Sequence, residues 1–278
     1  MRVFGDIFCC TDKTLFYRKT SNTITMAVYE QPLNEKIRLF MRLTFLMERF
    51  NHHLEEPTPE NCQAAVLVLL ELYNLSSRLD VKSAALHVLD LQIQAVRNAE
   101  GVEGIDTVRA SRMLAKLEEK SKQLYSFRGQ LGQHLKIHSF LNILKQRASI
   151  AGGINRMDIP VFNYWLSLPE KVKIEDLRGW VRPYNIAFEA IKLLMELIYS
   201  SPETEDVVAT GGFYQSTLSV SRDYQLLQLK LPDKSTYYPE ISAGKQRFSV
   251  RFVDSSQLEE RGKQVIENVD FKLILFSF

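Results

Sequence analysis

IAFEAIKLLMELIYSSPETEDVVATGGFYQSTLSVS, residues 186–221, is where the chain changes its period. Up to Tyr199 the apolar residues recur at helical spacing, as they do in every block upstream. After Ser201 and Pro202 the texture shifts. FYQSTLSVS alternates at period two and is rich in β-branched and aromatic residues, as are YQLLQLKL, QRFSVRFV and VDFKLILFSF further on. Gly211–Gly212, Pro232–Asp233 and Ala243–Gly244 stand between these runs as turn signals. The chain is therefore read as α+β, with a helical domain over 26–203 followed by a small antiparallel β domain over 204–278. TITMAVYE, ahead of the first helix, also has strand character, so residues 24–30 are expected to add a strand to that sheet.

Working back from the switch, the helical blocks carry their own punctuation. PLNEKIRLFMRLTFLMERF places Ile37, Phe40, Thr44 and Met47 on one stripe, with Asn34 positioned to cap its start. Pro57 to Glu60 interrupts, and AAVLVLLELYNL then reads as a more fully buried helix. Ser83 to Arg97 repeats the pattern with Leu86, Leu89, Ile93 and Val96, before Gly101 and Gly104. Two further amphipathic helices are expected, from Asp106 to about Phe127 and from His134 to Ser149, the second stopped by Gly152 and Gly153. Pro160 suits the first turn of VFNYWLSL, which Pro169 closes, and Pro183 precedes a last helix through Tyr199.

Composition bounds the function. The chain has 278 residues, 45% apolar and 24% charged, enough to bury a core without metals or disulfides. Lysine plus arginine is 35 against 33 aspartate plus glutamate, so net charge alone points to no polyanionic partner. Three cysteines, Cys9, Cys10 and Cys62, fit a reducing cytoplasm better than a disulfide scaffold. No apolar run approaches a membrane span, and MRVFGDIFCC is too short and too soon broken by Asp6 to read as a signal peptide.

The charge is uneven along the chain. Between Glu119 and Asp158 there is no acid, while Lys120, Lys122, Arg128, Lys136, Lys145, Arg147 and Arg156 all fall there. Arg38 and Arg42 are one turn apart on the first helix, and Arg247, Ser249 and Arg251 are spaced two apart, so all three leave one side of the sheet. Such a distribution is either a solvated face or a docking surface for an acidic partner. A nucleic-acid-binding protein using the basic 120–157 segment is the alternative reading, although no glycine-and-aromatic ribonucleoprotein signature accompanies QRFSVRF.

Enzymatic chemistry is poorly supported. The glycine pairs lack the further glycines and lysine of a phosphate loop, and no G-x-S-x-G elbow occurs. SAGK, from Ser242 to Lys245, matches S-x-x-K in a stretch that reads as a hairpin turn, where the lysine is not brought beside the serine. His134 and His138, four apart on one expected helix, have a zinc-pair spacing but no carboxylate or thiolate beside them. No catalytic residue, cofactor or metal ligand is assigned.

Four blocks taken in order carry a family resemblance: VYEQPLNEKIRLFMRLTFL from Val28, LKQRASIAGGINRMDIPVFNYWL from Leu144, GGFYQ from Gly211, and YYPEISAGKQRFSVRF from Tyr237. They resemble the ZapD family of bacterial cell-division proteins over about residues 26–276. The resemblance implies a cytoplasmic, non-enzymatic homodimer at the mid-cell division site, with no cofactor and no nucleic-acid or membrane partner. It also implies binding to the C-terminal tail of the tubulin-like GTPase FtsZ and bundling of FtsZ protofilaments to promote Z-ring and septum assembly. The residues expected to hold that tail are Arg38, Arg42, Lys136, Lys145, Arg147, Arg247 and Arg251, of which Arg42 and Arg147 are expected to matter most. Ser139 and Asn163 stand where relatives can carry a basic residue and a histidine, with His134 and His138 as substitutes. Residues 1–25 precede the resemblance and are expected to be a disordered extension, with Met26 as the natural start.

Overall fold

The computed structural model describes residues 27–99, 106–232, 235–255 and 262–278; the expected extension over 1–25, and residues 24–26 of the expected strand, lie outside them. The chain divides into two compact units, one made of the segment up to Arg38 together with Met195–Phe278, the other of Leu39–Leu194. This division differs from a split at 203/204. The first described strand, β1 (Ala27–Pro32), pairs antiparallel with β4 (Tyr224–Leu231), so residues 27–32 join the β unit. The strand expected there is present from Ala27, and local texture does not say which strand, some 200 positions on, it pairs with.

The helices start where their capping residues say they must. Asn34 accepts a hydrogen bond from the Ile37 amide (3.0 Å) at the head of α1 (Glu35–His53). Thr58 caps α2 (Pro59–Arg78) through the Asn61 amide, and Pro59 supplies a preset φ in its first turn. Asp80 accepts from the Ser83 amide at α3 (Val81–Ala99), and Asp106 caps α4 (Thr107–Ser126) through the Arg109 amide. The stripe expected on α1 is buried: Ile37, Phe40 and Met47 have no exposed surface, and Thr44 sits among them with its hydroxyl unpartnered.

Two helical expectations are corrected. His134 to Ser149 is not one helix but α5 (Gln133–Lys136) and α6 (Ser139–Ala148), because His138 adopts an extended conformation (φ −84°, ψ 105°) as the residue before α6. The expected helix boundary at Pro183 is also absent. After α7 (Pro160–Ser167), α8 runs unbroken from Glu170 to Tyr199 with Pro183 inside it. The proline removes one amide donor, but Leu177 and Val181 before it and Tyr184, Ala187 and Ile191 after it continue a single buried stripe. Tyr184 fastens this helix to α2: its hydroxyl lies 2.9 Å from Ser76 Oγ, and Gly132 (φ +81°) packs so closely against both that a Cβ there would collide with them.

The β unit holds two antiparallel sheets rather than one, in the orders β1-β4-β7-β2 and β3-β6-β5. The further strands are β2 (Pro202–Ala209), β3 (Phe213–Thr217), β5 (Tyr237–Ala243), β6 (Arg247–Asp254) and β7 (Val269–Ser277). Each sheet has an apolar face that must be covered, and each covers the other. Leu227, Leu229, Phe271 and Leu273 from the first meet Phe248, Val250 and Phe252 from the second in one core, with the Phe252 and Phe271 rings 5.3 Å apart. SAGK runs from the end of β5 into the β5–β6 turn, where the Gly244 amide donates to the Arg247 carbonyl (3.0 Å).

Candidate partner-binding surfaces

The outer face of α1 is a cationic stripe with one aromatic residue in it. Arg38, Arg42, Phe45 and Arg49 follow one another at spacings of four, three and four. Two of these cations have partners: Arg38 lies 3.2 Å from Glu35, and Arg49 lies 3.2 Å from Glu71 and over the Phe45 ring at 5.5 Å. Arg42 is exposed and makes no ion pair among the described residues. It lines a shallow groove of about 500 Å³ between α1 and α2, together with Phe45, Glu71, Asn74 and Arg78. Phe45 is 57% exposed, which the reading of the α1 core stripe passed over. The stripe does not single it out, because Leu39 and Leu46 also fall off the Ile37–Phe40–Thr44–Met47 face and are buried.

The segment α5–α6 carries the next three. Lys136 and Arg147 are exposed and make no ion pair among the described residues. Lys145 is committed differently, its ammonium standing 4.0 Å over the Tyr73 ring. Lys145 and Arg147 occupy the last turn of α6, where cations suit the exposed carbonyl end of the helix. Exposed Ile137, Ile143 and Ile150 interleave with these cations. The basic 120–157 run is not a continuous field of free charge, since it crosses α4, α5, α6 and the following loop and its Arg156 pairs with Glu60 at 3.2 Å.

The two histidines of this segment face Trp180. His134 Nε2 is 2.7 Å from the Trp180 carbonyl, and the His138 ring meets the indole edge-on at 5.4 Å with its Nδ1 buried and unpartnered. The break between α5 and α6 removes the one-helix spacing that suggested a zinc pair. Among the described residues, no group of three or more His, Cys, Asp or Glu is placed to hold a metal ion. Ser139 begins α6, and Asn163 is exposed on α7.

Arg247, Ser249 and Arg251 face outward from β6 while Phe248, Val250 and Phe252 face the core, as their spacing requires. Arg251 is engaged by its cross-strand neighbour: its Nε donates to Glu240 Oε2 at 3.0 Å, and its Nη2 contacts the same oxygen. The strand pair belongs to the β unit, whereas Arg42, Lys136, Lys145 and Arg147 belong to the helical unit. Among the described residues, no helix is long and apolar enough to cross a membrane.

A family model described as ZapD, cell division protein, matches residues 41–251. Proteins named cell division protein ZapD align over nearly the whole chain. That of Aromatoleum aromaticum is 34% identical over 249 residues, covering 90% of this chain and 96% of its own length. That of Chromobacterium violaceum is 32% identical over 253 residues, 91% and 100% of the two chains, and that of Coxiella burnetii (strain RSA 331) is 30% identical over 250 residues, 90% and 97%.

Proposed function

Since the chain belongs to the ZapD family of cell division proteins, we propose that it acts in division by binding the C-terminal tail of FtsZ. On this reading it is a non-enzymatic cytoplasmic homodimer that cross-links FtsZ protofilaments at mid-cell. The observation that carries the reading is the set of exposed cations without ion-pair partners among the described residues of the helical unit, Arg42 on α1 and Lys136 and Arg147 on α5–α6. A guanidinium with no intramolecular carboxylate keeps its donors for a ligand, and charge-assisted bonds to acidic side chains of a flexible tail use them. Arg38, Lys145, Arg247 and Arg251 complete the proposed set. Arg38 and Arg251 must first give up Glu35 and Glu240, so they contribute less than Arg42 and Arg147. A two-fold dimer presents the site twice, and many tails on one filament let individually weak contacts add up.

The test is co-sedimentation with assembled FtsZ and GTP at moderate salt, using full-length FtsZ and FtsZ lacking its tail. Pelleting and bundling that require the tail are expected. Arg42→Glu and Arg147→Glu are each expected to weaken tail binding about tenfold or more, the scale of one lost charge-assisted hydrogen bond. Wild-type bundling by Arg42→Glu overturns the assignment of that residue, and absence of pelleting with cognate FtsZ overturns the reading. In that event the basic 120–157 segment is next offered duplex and single-stranded DNA, whose binding must fall steeply with salt.

A further inference from the structure

We propose that the groove between the end of α1 and the middle of α8 is a second acidic-peptide docking site, separate from the residues assigned to the FtsZ tail. Asn51 and Leu54 form one wall, and Arg178, Val181, Arg182 and Asn185 form the other, around about 650 Å³. Arg178 and Arg182 stand one helical turn apart on α8, both exposed, and neither makes an ion pair among the described residues. Glu55, which also lines the groove, lies 3.3 Å from His52, and no ion pair joins it or Glu175 to either arginine among the described residues. The carbonyls of Asn51 and His52 at the end of α1 accept from the Leu54 and Glu55 amides.

The lining selects the class of ligand. Two guanidiniums a turn apart match two carboxylates a turn apart, each able to be gripped bidentately. The buried Val181 and half-buried Leu54 add apolar surface to the lining that suits an aliphatic side chain between the acids. The amides of Asn51 and Asn185 can serve the peptide backbone. The chain's own termini and acidic stretch are poor occupants. Residues 1–25 carry Arg2, Lys13, Arg18 and Lys19 against Asp6 and Asp12, the wrong sign. Of the stretch 203–206, Glu203 is held by Arg222 and Tyr224, and Asp206 by Lys272. The occupant proposed is an acidic segment of another protein, chosen by the charge of Arg178 and Arg182.

The probe is a capped peptide containing Glu-Leu-Ala-Ala-Glu, with Gln-Leu-Ala-Ala-Gln as its control, titrated into the full chain labelled with 15N-arginine. The Arg178 and Arg182 side-chain resonances, identified with Arg178→Lys and Arg182→Lys, are expected to shift saturably with the acidic peptide and not with the control. Arg182→Glu is expected to weaken the binding read at the Arg178 resonance by about tenfold or more, whereas Arg42→Glu, which removes a cation of the tail site, leaves the midpoint at that resonance unchanged. Circular dichroism verifies that the variant is folded, and Arg182→Gln serves if it is not. The proposal is overturned if these two resonances do not move, if the glutamine peptide moves them equally, or if Arg42→Glu abolishes binding to the same degree. None of these outcomes depends on FtsZ, so failure of the tail reading and failure of this one are separable.

Discussion

At the residue scale, the features that decide function are the partners each cation has or lacks. Arg251 and Lys145 share the expected set with Arg42 and Arg147, yet Glu240 and the Tyr73 ring hold them, as Glu71 holds Arg49 on α1. A charge with a partner has its donors occupied, and freeing it costs part of what a ligand would contribute. Carboxyl groups repay the same scrutiny. Burial raises the Glu48 pKa, and the attraction of Lys192 only partly offsets that. A folded-state pKa above the unfolded value means that the ionised carboxylate weakens the fold at neutral pH, and that this penalty fades as pH falls through the folded pKa. Glu48→Gln is accordingly expected to raise the melting temperature at neutral pH and to leave it unchanged below the carboxylate range, as thermal unfolding at the two pH values will show. A lower melting temperature at neutral pH would mean that the Lys192 attraction outweighs the burial.

At the element scale, helices with a cap and a clean stripe were legible, because both signals depend on residues three or four positions apart. Asn34, Asp106 and Pro160 stand where such reasoning places helix starts. β2 was not legible. PETEDVVA is an edge strand paired only with β7, so most of its side chains face solvent and only Val207 and Ala209 are buried. Its acids hide the alternation that marks the other strands. Nor did the alternation of the strands say how many sheets they form, since a half-buried strand looks the same whichever sheet it joins. The closure of the two sheets rests on rings that meet between them: Phe271 touches Phe252 at 5.3 Å and Tyr214 at 5.6 Å between centroids. Phe271→Ala is expected to cost about 3–5 kcal/mol, read as a lower urea midpoint. A loss under about 1 kcal/mol would show that the core collapses around the gap.

At the scale of the whole molecule, the proposed cross-linking requires two copies of each site, and a dimer is the smallest assembly that supplies them. Dilution below the dimerisation constant is therefore expected to abolish FtsZ bundling, followed by light scattering, while the tail peptide still binds, followed by anisotropy. Bundling that persists in a population shown by ultracentrifugation to be monomeric would instead place two tail sites on one chain. Local pattern fixes the kind of most elements and most of their starts, β2 and the α5–α6 break apart. It also determined the outward face of Arg247, Ser249 and Arg251, because a strand's period of two and a helix's period of 3.6 are local properties of the backbone. Only the tertiary structure decided that β1 pairs with β4, that Arg49 pairs with Glu71 and Arg251 with Glu240, and that Arg42 and Arg147 are left without intramolecular acids. Those outcomes join residues 11 to about 200 positions apart, and no local periodicity reports which distant side chains the packing of the core will bring together.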